Sequence, residues 1–344
     1  MKSVEKKCLK VSLKDAEKIR KITSNFIDYD YELVKDEKFI FFPLKDIPKD
    51  LSNKIVKKRF YKREERYGSY KEILDIPKDL EAKLPSSYDL IGDIIIINIP
   101  IEIKDYHIDI ARALLKVEKN VKSVFLKYPV SGEFRIRDIK FLAGIKKTKT
   151  IHREYGIEYI VDIEKTYFSP RLANERKRIA DLVEHGEKIL DMFAGVAPFS
   201  IMIAKKSNSE LIYANDKNKD AIDLAKENIK INNVLDKVET LNFDSKDLKE
   251  YFKNMKIRFD RVIMNLPFSS INFLDDALKI ANKKVIIHLY MISNDDELDN
   301  NLDKIKKIVD KSLFSLEKLK VNKIKSYAPR EFYICIDITA KEKI

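Results

Sequence analysis

Residues 188–200 read Lys-Ile-Leu-Asp-Met-Phe-Ala-Gly-Val-Ala-Pro-Phe-Ser. Ile189, Leu190, Met192 and Phe193 make a short apolar run broken only by Asp191, the pattern of a strand buried on both faces. The run empties into Ala194-Gly195-Val196-Ala197, and Pro198 stands where a helix can begin, because proline is tolerated in a first turn. A strand, a small-residue turn and a helix in this order bring backbone N–H groups close to a ligand, with Asp191 at the carboxyl end of the strand. The dinucleotide fingerprint needs three glycines, and this turn has one. A nicotinamide-dinucleotide reading is therefore rejected.

From residue 166 onward, apolar runs alternate with helical patterns, which predicts a doubly wound α/β sheet. The strands expected are 188–193, 211–216, 237–243, 259–265 and 284–290, with a closing antiparallel pair near 316–326 and 331–339. The second strand ends on Asp216, where an acid can accept both hydroxyls of a ribose; a helix N-cap is the competing reading. The third ends on Phe243-Asp244, an aromatic that can cover an adenine beside an acid that can take its amino group. The helix over 221–233 ends on asparagines, a plausible C-cap. The fourth strand ends Asn265-Leu266-Pro267-Phe268, a polar side chain fixed by an X-Pro turn that leaves carbonyls and an amide exposed.

Three domains are expected. Residues 1–75 read as a small α+β unit with strands at 8–13 and 38–43 around a helix at 14–24. The stretch Lys54–Tyr70 interleaves basic and aromatic residues; it can hold phosphates and stack on bases, but a solvated linker helix is the preferred reading. Residues 76–165 read as a middle α+β domain that binds RNA, with strands at 93–100, 121–127 and 155–163 and a helix at 108–119. Residues 166–344 carry the doubly wound sheet.

The 344 residues carry a net charge of +12 and a pI near 9.2, a balance that favours a polyanionic partner. Cys8 and Cys335 have no metal-ligand spacing, so neither a disulfide framework nor a metal site is expected. The opening residues lack an apolar signal core, and the longest apolar run, 94–101, is broken by Asn98 and Pro100 and too short to span a bilayer. A cytoplasmic protein without a membrane partner is the expectation.

The Asp191-x-Phe193-x-Gly195 turn resembles motif I of class I S-adenosylmethionine-dependent methyltransferases, and Asn265-Leu266-Pro267 resembles the motif IV of amino and ring-nitrogen methyltransferases. Thr166-Tyr-Phe-Ser-Pro-Arg-Leu-Ala-Asn-Glu-Arg176, taken with these, resembles the archaeal form of the Trm5 family, tRNA (guanine-37, N1)-methyltransferases. The likeness extends through 84–93, Gly132-Glu-Phe-Arg135 and Ser326-Tyr-Ala-Pro329. It implies a Rossmann-like class I methyltransferase fold at the C-terminus, S-adenosylmethionine as cofactor, and the anticodon loop of tRNA around G37 as partner, with a monomer expected.

Residue by residue, the resemblance implies Glu175 as general base and Arg135 as the cation at O6, with Arg137 as its competitor in register. Asn265 would hold the base edge and Tyr167 would pack on the base or cofactor. The cofactor would lie against Asp191, Phe193, Gly195, Val196, Pro198, Asp216, Asp244, Asn265, Leu266 and Pro267. Arg171 and Arg176 would serve phosphates or order the helix. Two departures stand out. Ala197 replaces a second glycine, so a positive φ is not expected there and a slight reshaping of the loop is. Phe268 places a bulky ring at the substrate mouth, where it bears on whether the wyosine precursor at the same position is also methylated. The competing readings are a related class I methyltransferase acting on another RNA base, an exocyclic amine or protein glutamine, and a non-catalytic RNA-binding protein.

Overall fold

The computed structural model describes residues 3–47, 54–63, 67–130 and 137–344. It divides into two compact units, Met1–Gly68 and Ser69–Ile344.

In the first unit, strands β1 (Ser3–Ser12), β2 (Val34–Lys35), β3 (Phe39–Pro43) and β4 (Ile55–Tyr61) form a sheet in the order β2-β3-β1-β4, with helix α1 (Ala16–Ile22) beside it. Leu9, Val11, Ile27, Phe42 and Leu44 make one small core, and Cys8, Phe41 and Phe60 another. The linker helix preferred for residues 54–70 is overturned. Residues 55–61 pair antiparallel with β1, from Ser3↔Tyr61 to Leu9↔Ile55. Phe60 is fully buried while its neighbours Arg59 and Tyr61 are exposed, a period of two that a helix cannot satisfy.

The second unit opens with a 3₁₀ turn at Tyr70–Ile73 and the short helix α2 (Lys78–Glu81), and then a four-stranded sheet, β5 (Asp89–Ile91), β6 (Ile94–Ile97), β7 (Ser123–Val130) and β8 (Arg137–Gly144), in that order. Helix α3 (His107–Val117) buries Ile110, Ala111, Ala113 and Leu114 against it, which explains its four-residue spacing of apolar positions. The hairpin β9 (Lys149–Glu154) and β10 (Ile157–Asp162) follows.

The chain then builds helix α4 (Ala173–Asp181) and the large sheet. Its elements are β11 (Lys188–Asp191), α5 (Pro198–Lys206), β12 (Leu211–Asn215), α6 (Lys219–Ile231), β13 (Val238–Leu241), α7 (Leu248–Met255), β14 (Phe259–Met264), α8 (Leu274–Lys279), β15 (Ala281–Ser293), α9 (Asp295–Lys311), β16 (Phe314–Ala328) and β17 (Glu331–Glu342). The order is β13-β12-β11-β14-β15-β17-β16, parallel from β13 to β15 and antiparallel for the last two pairings. The order reverses beside β11, where the chain steps outward to β12 and later returns to β14. That is the switch point at which open α/β sheets form a ligand crevice.

The α6 asparagines have a further use besides the C-cap at Asn232. Asn228 accepts from the Ile160 N–H at 2.6 Å and donates to the Ile160 carbonyl at 3.1 Å, and Asn232 does the same for Glu158 at 3.1 and 2.7 Å. These amides occupy backbone groups that β10 would otherwise expose at the hairpin's edge.

Candidate active site

The turn after β11 is shaped by two residues in the left-handed region, Gly195 at φ +56° and Ala197 at φ +62°. The expectation that Ala197 would avoid positive φ is therefore corrected: alanine takes the conformation itself, at a cost of about 1 kcal/mol relative to glycine. Its amide donates to the Ala194 carbonyl at 2.9 Å, and Pro198 opens α5 as the fixed φ of proline allows.

That shape aims the Gly195 N–H at Asp216, 2.7 Å from Oδ2, while Oδ1 accepts from the Asn218 amide at 2.8 Å. Asp216 is not an N-cap; Asn218 caps α6 through the amides of Asp220 and Ala221. Burial pushes the Asp216 carboxyl up. Asp191 sits beneath, fully buried. Its Oδ2 accepts from the Ser200 hydroxyl at 2.8 Å, and among the described residues its Oδ1 has no partner. Burial first, then the negative Asp216 nearby, raise its pKa to about 7 against the pull of Ser200.

Above this turn lies a cavity of about 220 Å³. Tyr167, Arg176, Phe193, Gly195, Pro198, Asp216, Asp244, Asn265 and Leu266 line it, so the structure brings together residues spread over a hundred positions of chain. Asp191, Val196 and Pro267 are buried and are not part of the wall. Phe193 packs edge-on against Phe273 at 5.1 Å, and both rings face the cavity. Phe243 instead packs on Tyr251 at 4.8 Å. Asp244 accepts from the Lys246 amide at 3.1 Å and pairs with Lys217 at 3.0 Å, and these hold its carboxyl below the usual range. Phe273, Ser245 and Asn218 belong to the wall without having been expected; each follows a strand end in the sheet, which is the signal that could have found them.

A second group lies behind the wall. Glu175, on α4, is 3% exposed and outside the cavity lining. Arg178 grips its two carboxylate oxygens at 2.7 Å each, and the Tyr290 hydroxyl donates to Oε1 at 2.7 Å. Tyr290 packs on Tyr333 at 5.9 Å, and the Tyr333 hydroxyl donates to Oδ1 of Asn265. Arg178 continues to Asp337 at 2.8 Å, Asp337 to His288 Nδ1 at 2.6 Å, His288 Nε2 to Arg261 at 2.6 Å, and Arg261 to both oxygens of Glu187 at 2.6 and 2.7 Å. A guanidinium can only donate. His288 therefore accepts at Nε2 and carries its proton on Nδ1, as the neutral ring that burial favours. Sequence reasoning missed this chain of charges. Its signal was an ionisable residue set among buried apolar neighbours in each of three strands, Arg261, His288 and Asp337.

The arginines expected at phosphates behave differently. Arg176 is 1% exposed, forked onto Glu154 at 2.6 Å twice, and donates to the Ser169 carbonyl at 3.2 Å. Its fork is spent inside the protein, so it orders the 166–172 segment rather than meeting a phosphate. Arg171, in the 3₁₀ turn before α4, pairs with Asp89 at 2.7 Å and joins that turn to the middle sheet. Arg137 opens β8, and Arg135 lies outside the described residues. Phe268 is 61% exposed and edges onto Tyr327. No helix of the described residues is long and apolar enough to cross a membrane.

The donor set fits the cofactor expected. Asp216 lines the cavity as the kind of acceptor a ribose needs, and the rings of Phe193 and Phe273 frame space for a flat heterocycle, while Asp191 keeps one oxygen without a partner among the described residues in the layer beneath the wall.

Residues 150–317 match the family described as TRM5/TYW2 methyltransferase domain, 70–148 the TYW2 N-terminal domain and 8–52 the tRNA methyltransferase 5 N-terminal domain. The chain is 39% identical over 96% of its length to tRNA (guanine(37)-N(1))-methyltransferase Trm5b of Pyrococcus abyssi, covering 97% of that protein. It is similar to the solved complex of aTrm5 and tRNALeu, at a TM-score of 0.74 and 34% identity, over 96% of this chain and 99% of that one. It is also similar to M. jannaschii TYW2 in complex with AdoMet, at a TM-score of 0.58 and 28% identity, over 75% of this chain and 100% of that one.

Proposed function

The chain belongs to the archaeal Trm5 family, and from that premise we propose that it methylates N1 of guanosine 37 in tRNA. Its cofactor is S-adenosylmethionine, which when bound supplies an electrophilic methyl group. The observation that carries the reading is the convergence of Asp216, Asp244 and Asn265 on one cavity with Glu175 directly behind it.

N1 of guanine carries a proton at neutral pH, so its methylation needs a base. Glu175 is the candidate. Of the roughly four acceptor positions on a carboxylate, Arg178 and Tyr290 take three. The fourth would accept N1–H once the base reaches past the wall that covers Glu175, and removal of that proton is typically worth about 10²–10⁴-fold. As N1 loses its proton, charge gathers on O6, where a fixed cation stabilises the transition state; Arg135 is assigned this place by resemblance. Tyr167, in the cavity wall, would pack on the base. Nucleotide 37 must be turned out of its stack to be reached, which gives the middle domain its use as a grip on RNA. The enzyme is proposed to act as a cytoplasmic monomer.

The test is incubation of wild-type protein with labelled cofactor and tRNA transcripts bearing G or A at position 37, with Glu175→Gln alongside. Label enters the G37 transcript alone, and the variant loses about 10²–10⁴-fold in single-turnover rate while binding cofactor as before. A Glu175→Gln rate equal to wild type would remove Glu175 from the mechanism.

A further inference from the structure

Strand β17 shows its two faces to different surroundings. Ile334, Ile336 and Ile338 enter the core on one side of the sheet, and Tyr333 and Cys335 enter the core on the other. Tyr333 is 4% exposed, and its hydroxyl donates to Oδ1 of Asn265. Its ring is held from both sides, by Tyr290 at 5.9 Å and by the Lys325 ammonium 5.1 Å from its centroid. The residue thus reaches Asn265 from a rigid strand rather than from a loop.

A primary amide offers an acceptor on one side and two donors on the other. With Oδ1 of Asn265 occupied by the phenol, its Nδ2–H₂ group is the part left for the cavity that Asn265 lines. We propose that Tyr333 is a positioning residue that fixes the Asn265 amide as a hydrogen-bond donor toward the target base, and so selects guanine over adenine. The inference rests on the reading that Asn265 meets the base edge. Guanine presents O6, an acceptor that gains negative charge as N1 loses its proton, so a fixed donor there gains strength in the transition state. Adenine presents an amino group at the same place. Two donors would then face each other, and a buried donor without a partner is disfavoured. A freely turning asparagine would suit either base; a clamped one does not.

The experiment compares wild type with Tyr333→Phe, which removes one oxygen and keeps the ring. Cofactor affinity, measured by calorimetry, and KM for the G37 transcript are expected to stay within twofold. The single-turnover rate on G37 is expected to fall by about 10–100-fold, short of the roughly 10²–10³-fold cost of removing a transition-state donor outright, because the amide stays but is no longer fixed. The A37 transcript is expected to inhibit the variant about 5–10-fold more strongly than it inhibits wild type, because the released amide can turn its oxygen to the adenine amino group. In an Asn265→Ala background, Tyr333→Phe is expected to add less than twofold to the rate loss, since its effect passes through Asn265. A G37 rate within twofold of wild type, an unchanged A37 inhibition constant, or an undiminished loss in the Asn265→Ala background would each overturn the proposal. Wild-type protein that leaves G37 transcripts unmethylated would instead break the parent reading of the site.

Discussion

Asp191 and Asp216 are held in one way, and the acids behind the cavity wall in the opposite one. Beside the cavity, Asp191 and Asp216 meet a hydroxyl and two backbone amides, and burial leaves both with raised pKa values. Behind it, Glu187, Asp337 and Glu154 each meet a guanidinium. Burial works against ionisation there too, but the hydrogen bonds from His288 and Arg178 take Asp337 well below the usual range, and those from His152 and Arg176 lower Glu154. The difference separates a binding surface from a framework. At Asp191 and Asp216 desolvation outweighs the hydrogen bonds, whereas the acids that tie the framework together are neutralised within the chain.

Arg261→Met leaves Glu187 buried without its cation and is expected to lower stability by about 3–5 kcal/mol, read from urea unfolding. Adding Glu187→Gln should return much of that loss; a single variant that unfolds like wild type would mean the charged chain is not structural.

The pH dependence separates the two groups by sign. The folded pKa of Asp191, about 7, lies above its reference of 3.8, so the native state holds that proton more tightly than the unfolded chain. Its contribution is fully present below pH ~4 and is lost as pH rises toward 7, a change of up to about 4 kcal/mol. Asp337 and Glu154 run the other way, stabilising above their unfolded pKa values and losing effect as the pH falls. Asp191→Asn should therefore flatten the decline between about pH 4 and 7 without touching the acid limb, as measured by unfolding at a series of pH values.

A smaller effect is expected at Asp216. Asp216→Asn should weaken S-adenosylmethionine binding by about 10–100-fold, the scale of one to two hydrogen bonds to a charged acceptor, while global stability moves by less than about 1 kcal/mol. Calorimetry and melting separate the two readouts. The smallest change is Ala197→Gly. Relief of the left-handed strain, about 1 kcal/mol, is offset by the loss of one buried methyl, about 0.8 kcal/mol. Stability should stay within about 0.5 kcal/mol, and a larger shift in either direction would identify the dominant contribution.

The strands of the large sheet were legible because both faces are buried, so their residues form apolar runs such as Ile189-Leu190 and Val262-Ile263-Met264. The cavity acids were legible for a related reason: a carboxylate closing such a run has few uses. What the sequence concealed was pairing between distant strands. Arg261, His288 and Asp337 each look like an isolated intrusion until the register sets Ile263 opposite His288 and His288 opposite Asp337. Residues 55–61 were misjudged because the lysines and arginines around Phe60 mask a period of two that only the pairing with β1 reveals. At Ala197, glycine preference was weighed alone, whereas the turn between β11 and α5 imposes the left-handed conformation on whichever residue stands there.

The order of the strands has a consequence for how this protein matures. Arg178 waits 159 residues for Asp337, and Glu175 waits 115 for Tyr290. During synthesis the methyl-donor turn and the strands around it leave the ribosome well before β17. Until that strand pairs with β15 and β16, Arg178 of α4 lacks one of its two acidic partners and Asn265 lacks its phenol. Such late, distant closures are slow steps in chain folding, so the charged framework behind the cavity is completed only when the last strand joins the sheet.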